Sequence, residues 1–160
     1  EHVDLPQVTL QEAKFPYKKN VIRAPDNCSA QQVFQLMDKH RLSGIAIIDS
    51  GTRKLVENTS ASDIKSAIRS GGDSGVVDMK MDILSYLAQV RQNSTIDRYP
   101  CAHVSESSTV AHAVDLLAKT GLHRIFVVDE QMRPVGVVSV TDVVEFCTRC
   151  VEEDESKRTV

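Results

Sequence analysis

The chain of 160 residues has no tryptophan, and its aromatic share is 4%. That scarcity argues against an aromatic platform on which bases could stack, and so against a single-stranded nucleic acid ligand. One sign of charge does not dominate: 19 Lys and Arg stand against 22 Asp and Glu, a formal net charge of -3. No basic run is dense enough to track a phosphate backbone, so any anion site must be local, and nucleic acid is excluded as a partner. No apolar run reaches the length that spans a bilayer, and the polar start at Glu1 lacks a charged-then-apolar signal pattern. A protein of the cytoplasm or nucleus, with no membrane partner, is the expectation.

Cysteine is also sparse, with four residues at positions 28, 101, 147 and 150, too few and too scattered for the disulfide framework of a small secreted domain. Reduced thiols are expected. Cys147 and Cys150 form a lone CxxC, but zinc wants four ligands and no second pair completes the set. They read as helix residues, and no metal is expected. What remains is an ordinary globular composition, 41% hydrophobic and 26% charged.

The ordering principle is internal repetition. With a shift of 80, Leu36, Lys39, Leu42, Ile45 and Asp49 fall on Leu116, Lys119, Leu122, Ile125 and Asp129. With a shift of 79, Val56, Ser60 and Asp63 fall on Val135, Ser139 and Asp142, one residue being inserted in the Ser50 to Lys54 turn. Each copy reads as strand, helix, strand, strand, helix. In the second, a strand over Cys101 to Val104 leads to a helix capped by Ser108 or Thr109, with an apolar stripe of Val110, Ala113, Val114 and Leu117. Gly121 ends it. Two runs, Ile125 to Val128 and Pro134 to Val138, predict an antiparallel hairpin, and Ser139 opens a last helix with Val143, Val144 and Cys147 as its apolar face. The first copy repeats this with Val21 to Ala24, the stripe Val33, Leu36 and Met37, the strand Ile45 to Ile48, and the helix stripe Ile64, Ala67 and Ile68.

The expected organisation is an N-terminal segment over 1–20, a first repeat over 21–70, a linker over 71–99, a second repeat over 100–151 and a charged tail over 152–160 that should fray. Leu5, Val8 and Leu10 suggest a strand or turn in the N-terminal segment. Within the linker, a Gly- and Ser-rich break from Ser70 to Gly75 precedes a helix face of Ile83, Leu87 and Val90. The fold class is α/β (α+β). A unit of about fifty residues is marginal alone, so the two copies should pack face to face about a pseudo-twofold axis.

A strand, helix, strand, strand, helix unit ending in Ser-x-Ser/Thr-Asp at the mouth of its last helix resembles the CBS domain, and two in tandem resemble a Bateman module. The likeness covers Val21 to Cys150. Within that family, the string from Leu122 through His123, Arg124 and Ile125 to Glu130, followed by Gly136 to Asp142, is most similar to the last repeat of the gamma subunit of the AMP-activated (SNF1-type) protein kinase. Leu42-Ser43-Gly44-Ile45 resembles the preceding repeat. This resemblance implies AMP, ADP or ATP as a regulatory ligand and kinase catalytic and scaffold subunits as partners. A homodimer of CBS pairs is a further expectation.

Asp142 and Asp63 each follow a serine, Ser139 and Ser60, by three residues. On their own they read as capping boxes, the serine and carboxylate satisfying the first N-H groups of a helix. The resemblance implies instead that the carboxylate accepts hydrogen bonds from ribose hydroxyls, with Ser139, Thr141, Ser60 and Ser62 adding bonds beside helix N-termini that favour phosphate. His123 and Arg124 by themselves read as edge residues with polar tips in solvent. The resemblance makes them phosphate contacts, a role the planar fork of Arg suits, and a His123 that titrates near neutrality would make affinity depend on pH. Arg23 is a weaker candidate of the same kind. The segments holding Val21 and Ala24, and Ala102 and Val104, are implied to wall the adenine. The first copy departs from the pattern at Glu57-Asn58, where the second has Gly136-Val137, and has no basic pair at Ser43-Gly44.

Three functions compete: a regulatory module that senses adenine nucleotides, a degenerate pair kept as a scaffold for self-association or docking, and an enzyme. No nucleophile and base recur at a telling spacing, so the chain does not read as an enzyme.

Overall fold

The computed structural model describes residues 7–17, 20–70, 77–92 and 101–158. Among them, β1 (Arg23–Pro25), α1 (Ala30–Lys39), β2 (Gly44–Ile48), β3 (Leu55–Ser60) and α2 (Ala61–Ser70) form the first copy. After α3 (Ile83–Gln92), the second copy follows as β4 (His103–Ser105), α4 (Val110–Thr120), β5 (Arg124–Val128), β6 (Pro134–Ser139) and α5 (Val140–Arg158). The mixed α/β class read from the sequence is the one observed. Two three-stranded sheets, ordered β1-β2-β3 and β4-β5-β6, each have a parallel first pair and an antiparallel second pair.

The copies agree down to their irregularities. The sheet register slips after Ile47 in one and after Val127 in the other. The hairpin turns carry left-handed residues, Arg53 and Met132, at φ 65° and 62°. After α4, Gly121 takes φ 63° at no steric cost, whereas Arg41 takes φ 51° at the matching point after α1. Ser29 caps α1 in a capping box with Gln32, and Thr109 caps α4. Ser108, the other candidate cap, instead receives the backbone N-H of Ser105 at 3.1 Å.

The chain divides into two compact units, residues 22–101 and residues 1–21 with 102–160. Each unit is one repeat completed by the segment that precedes the other repeat. In the first, Ile83, Tyr86, Leu87 and Val90 of α3 are buried with Val33, Met37, Ile45 and Ile47. The helix described above as a linker is thus part of this core. Main-chain bonds tie it in at the mouth of α1, Ala30 N-H donating to the Met81 carbonyl (3.0 Å) and Ile83 N-H to that of Cys28 (2.9 Å).

The second unit repeats the device with the N-terminal segment. Val110 N-H donates to the Val8 carbonyl (3.0 Å) and Leu10 N-H to that of Ser108 (2.8 Å), at the mouth of α4. Leu10 is fully buried, and Phe15 packs on Phe146 with ring centroids 5.0 Å apart. The Tyr17 hydroxyl donates to Glu106 Oε1 at 2.7 Å, and burial together with that carboxylate pushes its pKa up to about 12. Of the strand or turn expected there, a turn forms over Thr9 to Lys14, and Val8 faces solvent. Leu5 and the stretch 71–75 lie outside the described residues, as do the side chains of Ala67 and Ile68.

Helix α5 differs from expectation in two ways. It continues through the charged stretch to Arg158 instead of fraying at 152. Its core-facing residues are Val143 and Phe146, three apart on one face, while Val144, a hundred degrees further round, is exposed.

Because Leu10 belongs to the second unit's core, Leu10→Ala should destabilise that unit by about 2 to 5 kcal/mol, the usual cost of emptying a fully buried leucine site. Chemical denaturation followed by hydrogen exchange checks this. The loss should concentrate in residues 102–150 and spare residues 22–92.

Candidate functional site

In each unit the sheet delivers its polar candidates to one end. Arg124, first residue of β5, pairs with Ser139, last residue of β6, and β4 runs parallel to β5 with His103 opposite Phe126. The start of β4, the start of β5 and the start of α5 therefore meet. His123, Arg124, Ser139, Thr141, Asp142 and Ala102 share that end of the second unit. Val104 is one step along β4, with its side chain committed to the core. Arg23, Ala24, Ser60, Ser62 and Asp63 gather at the matching end of the first unit, with Ala24 buried in its core. Val21 falls on the other side of the boundary, in the second unit.

At the second junction the Ser139 N-H and hydroxyl both donate to Asp142 Oδ2, at 2.7 and 2.6 Å, and the Asp142 N-H returns a bond to Ser139 Oγ at 3.2 Å. The His123 carbonyl accepts from the Val140 N-H at 3.1 Å, fixing the turn into α5. The capping box is therefore real, and it uses only one carboxylate oxygen. Asp142 is half-buried, and its Oδ1 accepts no hydrogen bond among the described residues. His123 and Thr141 are exposed and Arg124 is half-buried. Such a carboxylate, at a helix N-terminus that favours negative charge, can accept hydroxyl donors from outside the chain.

The first junction is wired differently. Asp63 is 1% exposed, and its Oδ2 accepts the Ser60 N-H (2.9 Å) and the Thr59 hydroxyl (3.0 Å). The second unit has Val138 where Thr59 stands, and there the hydroxyl donor to the carboxylate is that of Ser139 instead. Arg91 from α3 then fills the space. Its Nη2 donates to the Asn58 carbonyl at 2.7 Å, its Nη1 lies 3.0 Å from Glu57 Oε2, and its Nε and Nη2 lie 3.5 and 3.4 Å from the Asp63 oxygens. Burial opposes the Arg91 charge, but the carboxylates of Asp63 and Glu57 outweigh it and raise the pKa above the ordinary guanidinium value. Ser60 and Ser62 hydroxyls bond to each other.

The polar pair Glu57-Asn58 does not break the strand. β3 runs unbroken from Leu55 to Ser60, and the pair receives Arg91. Sequence reasoning missed this arginine. The signal was there: a carboxylate on a strand expected to be buried requires a cation, and Arg91 follows Val90 at the end of the α3 stripe. The Tyr86 hydroxyl is buried beside this network without a hydrogen-bond partner among the described residues, and burial and the Asp63 charge raise its pKa.

Among the described residues, no three His, Cys, Asp or Glu side chains cluster as metal ligands, and no helix is long and apolar enough to cross a membrane.

Residues 94–149 match the CBS domain. Protein SDS23 of Scheffersomyces stipitis is 26% identical over 126 residues, 78% of this chain and 23% of that protein. The chain spans less than a quarter of the length of the curated relatives it matches first. The solved CBS domain pair of protein MJ0100, in complex with 5'-methylthioadenosine and S-adenosyl-L-methionine, superposes with a TM-score of 0.60 at 21% identity, covering 86% of this chain and 98% of that one. CBSX2 in complex with AMP, a CBS-pair protein from Arabidopsis thaliana, gives a TM-score of 0.59 at 18% identity, covering 89% and 98%. The fold is that of a CBS pair.

Burial pushes the Cys101 thiol up to about 12, with the nearby Glu57 charge adding to the effect and Arg91 opposing it. The thiolate is the reactive form, so alkylation with iodoacetamide at pH 8 should reach the exposed Cys150 first and Cys101 last. Peptide mapping over time checks the order, and denaturant should erase it.

Proposed function

We propose that the second unit binds an adenine nucleotide, with Asp142 accepting the ribose hydroxyls, and that the bound state is passed to a protein partner. The observation that carries this is Asp142 itself: half its acceptor capacity is spent on Ser139, and Oδ1 is left open at the mouth of α5. Ser139 and Thr141 stand beside the same helix N-terminus. Arg124, with His123 next to it, starts the neighbouring strand. These groups suit phosphate, which extends from a ribose toward positive charge. The solved CBS pairs that hold AMP, or 5'-methylthioadenosine and S-adenosyl-L-methionine, support an adenosine-containing ligand. The resemblance of residues 122–142 to the kinase gamma subunit favours AMP, ADP or ATP, and a kinase as the partner. Nothing in this reading requires catalysis, since a ligand alters a partner through its differential affinity for two states.

A second reading, self-association, rests on α5. Val140, Val144 and Val151 are 45%, 59% and 51% exposed, and with half-buried Cys147 they recur at intervals of four, three and four residues. That is the seam of a two-helix packing, turned away from the helix's own core face. It supports a homodimer through α5, compatible with the nucleotide site.

Calorimetric titration with AMP, ATP, adenosine and S-adenosylmethionine tests the main reading. Asp142→Ala should weaken every adenosine ligand by about tenfold to a hundredfold, the loss of one or two charge-assisted hydrogen bonds. Arg124→Ala should weaken AMP and ATP while leaving adenosine unchanged. Equal affinity of the parent for adenosine and AMP would remove the phosphate role, and unchanged binding in Asp142→Ala would remove the site. For α5, Val144→Asp should convert a dimer to a monomer in sedimentation. A parent that is already monomeric at high concentration would sink that second reading.

A further inference from the structure

We infer that Arg91 is a built-in occupant of the first unit's carboxylate site, a guanidinium lodged where the second unit leaves an acceptor open, so that α3 closes that site to ligand. This rests on the nucleotide reading of Asp142 for what the site would otherwise accept. The placement of Arg91 is independent of it.

Two side chains of β3 that differ from β6 act together with Arg91. Glu57 stands where β6 has Gly136 and gives the arginine a carboxylate, while the main-chain carbonyl of Asn58, a group that any residue supplies, accepts from Nη2. Thr59, where the second unit has Val138, gives Asp63 from the buried side of the strand the hydroxyl that Asp142 takes from Ser139. Asp63 is consequently buried, with a strand N-H, a hydroxyl and a guanidinium on its two oxygens, whereas Asp142 retains an open one. A ribose approaching Asp63 would have to expel Arg91, leaving that half-buried cation and Glu57 to find other partners. Removing one member of a buried ion pair strands the other, which makes expulsion unfavourable. The arginine's tightest bond goes to the Asn58 carbonyl at 2.7 Å, so a ligand that competed only for Asp63 would not release it. Hence the first unit's ligand machinery has become the anchorage of α3, and the chain carries one open adenosine site.

The test combines AMP stoichiometry with a ligand-free thermal cycle. The parent should bind one AMP per chain. Asp63→Asn should melt lower yet bind AMP with affinity unchanged within twofold. Arg91→Met should acquire a second, weaker AMP equivalent that is lost again in the Arg91→Met, Asp63→Asn double variant. Arg91→Gln, which keeps a polar side chain without the charge, serves if Arg91→Met does not fold. Two equivalents on the parent, or AMP weakened by Asp63→Asn as much as by Asp142→Ala, would overturn the inference. So would a single equivalent on the arginine variants. If the parent binds no AMP, the nucleotide reading fails, and the melting cycle then decides the latch alone: non-additive losses for Arg91 and Asp63 uphold their coupling, and additive ones dismiss it.

Discussion

A sheet of three short strands flanked by two helices cannot enclose its own core, and everything else in this chain follows from how that gap is filled. Each repeat borrows. The first is closed by α3, whose Ile83, Tyr86, Leu87 and Val90 complete its interior. The second is closed by the N-terminal segment, whose Leu10 and Phe15 do the same against Phe146. Both borrowed segments dock by the same pair of main-chain bonds at the N-terminus of the repeat's first helix. The stability of each repeat is therefore tied to residues far from it in sequence, and the chain cannot be cut between its repeats without opening both cores.

Borrowing also explains how two copies of one motif diverged without losing their backbone. The registers, the slipped pair in each hairpin and the left-handed turn residues are all retained. Among the side chains that changed are those that meet the borrowed segment. In the first unit that segment is a ten-residue helix long enough to place an arginine over the strand end, and the strand carries Glu57 to meet it. In the second, the equivalent strand has Gly136 and Val137, and the N-terminal segment contributes an aromatic contact and the Tyr17 to Glu106 bond instead.

Much of the fold was legible because it rests on local signals that the repeat doubled. The β-branched runs, the Thr109 cap and the terminal Gly121 each announce an element, and finding them twice removes the ambiguity of a short apolar run. What was hidden is non-local. Nothing near Leu10 tells that it belongs with Val110 and Ile125, because its partners arrive through the fold rather than through periodicity. Val144 was misplaced for a related reason: in a helix where Val143, Val144, Cys147 and Val151 are all apolar, the core face is chosen by what the helix packs on, here Phe15 against Phe146. The candidate site was readable as a list of residues and unreadable as a difference. Ser60 with Asp63 and Ser139 with Asp142 share one spacing, and it takes Glu57, Thr59 and a distant Arg91 to separate a buried carboxylate from one with a free oxygen.

That separation has an electrostatic consequence for how the two copies can share work. Glu57 and Asp63 bring two negative charges to one partly dry pocket, and a single guanidinium answers both. Its charge is held by the pair more firmly than in water, in spite of burial. Such a cluster is stable only while all three members stay together, since withdrawing any one leaves an uncompensated charge or an unpaired acceptor in the interior. A site of that kind resists exchange with small ligands. The Asp142 junction commits one oxygen to its own helix cap and leaves the other without a hydrogen bond among the described residues. One repeat holds the chain's architecture and the other meets the solution, although the motif that builds them is the same.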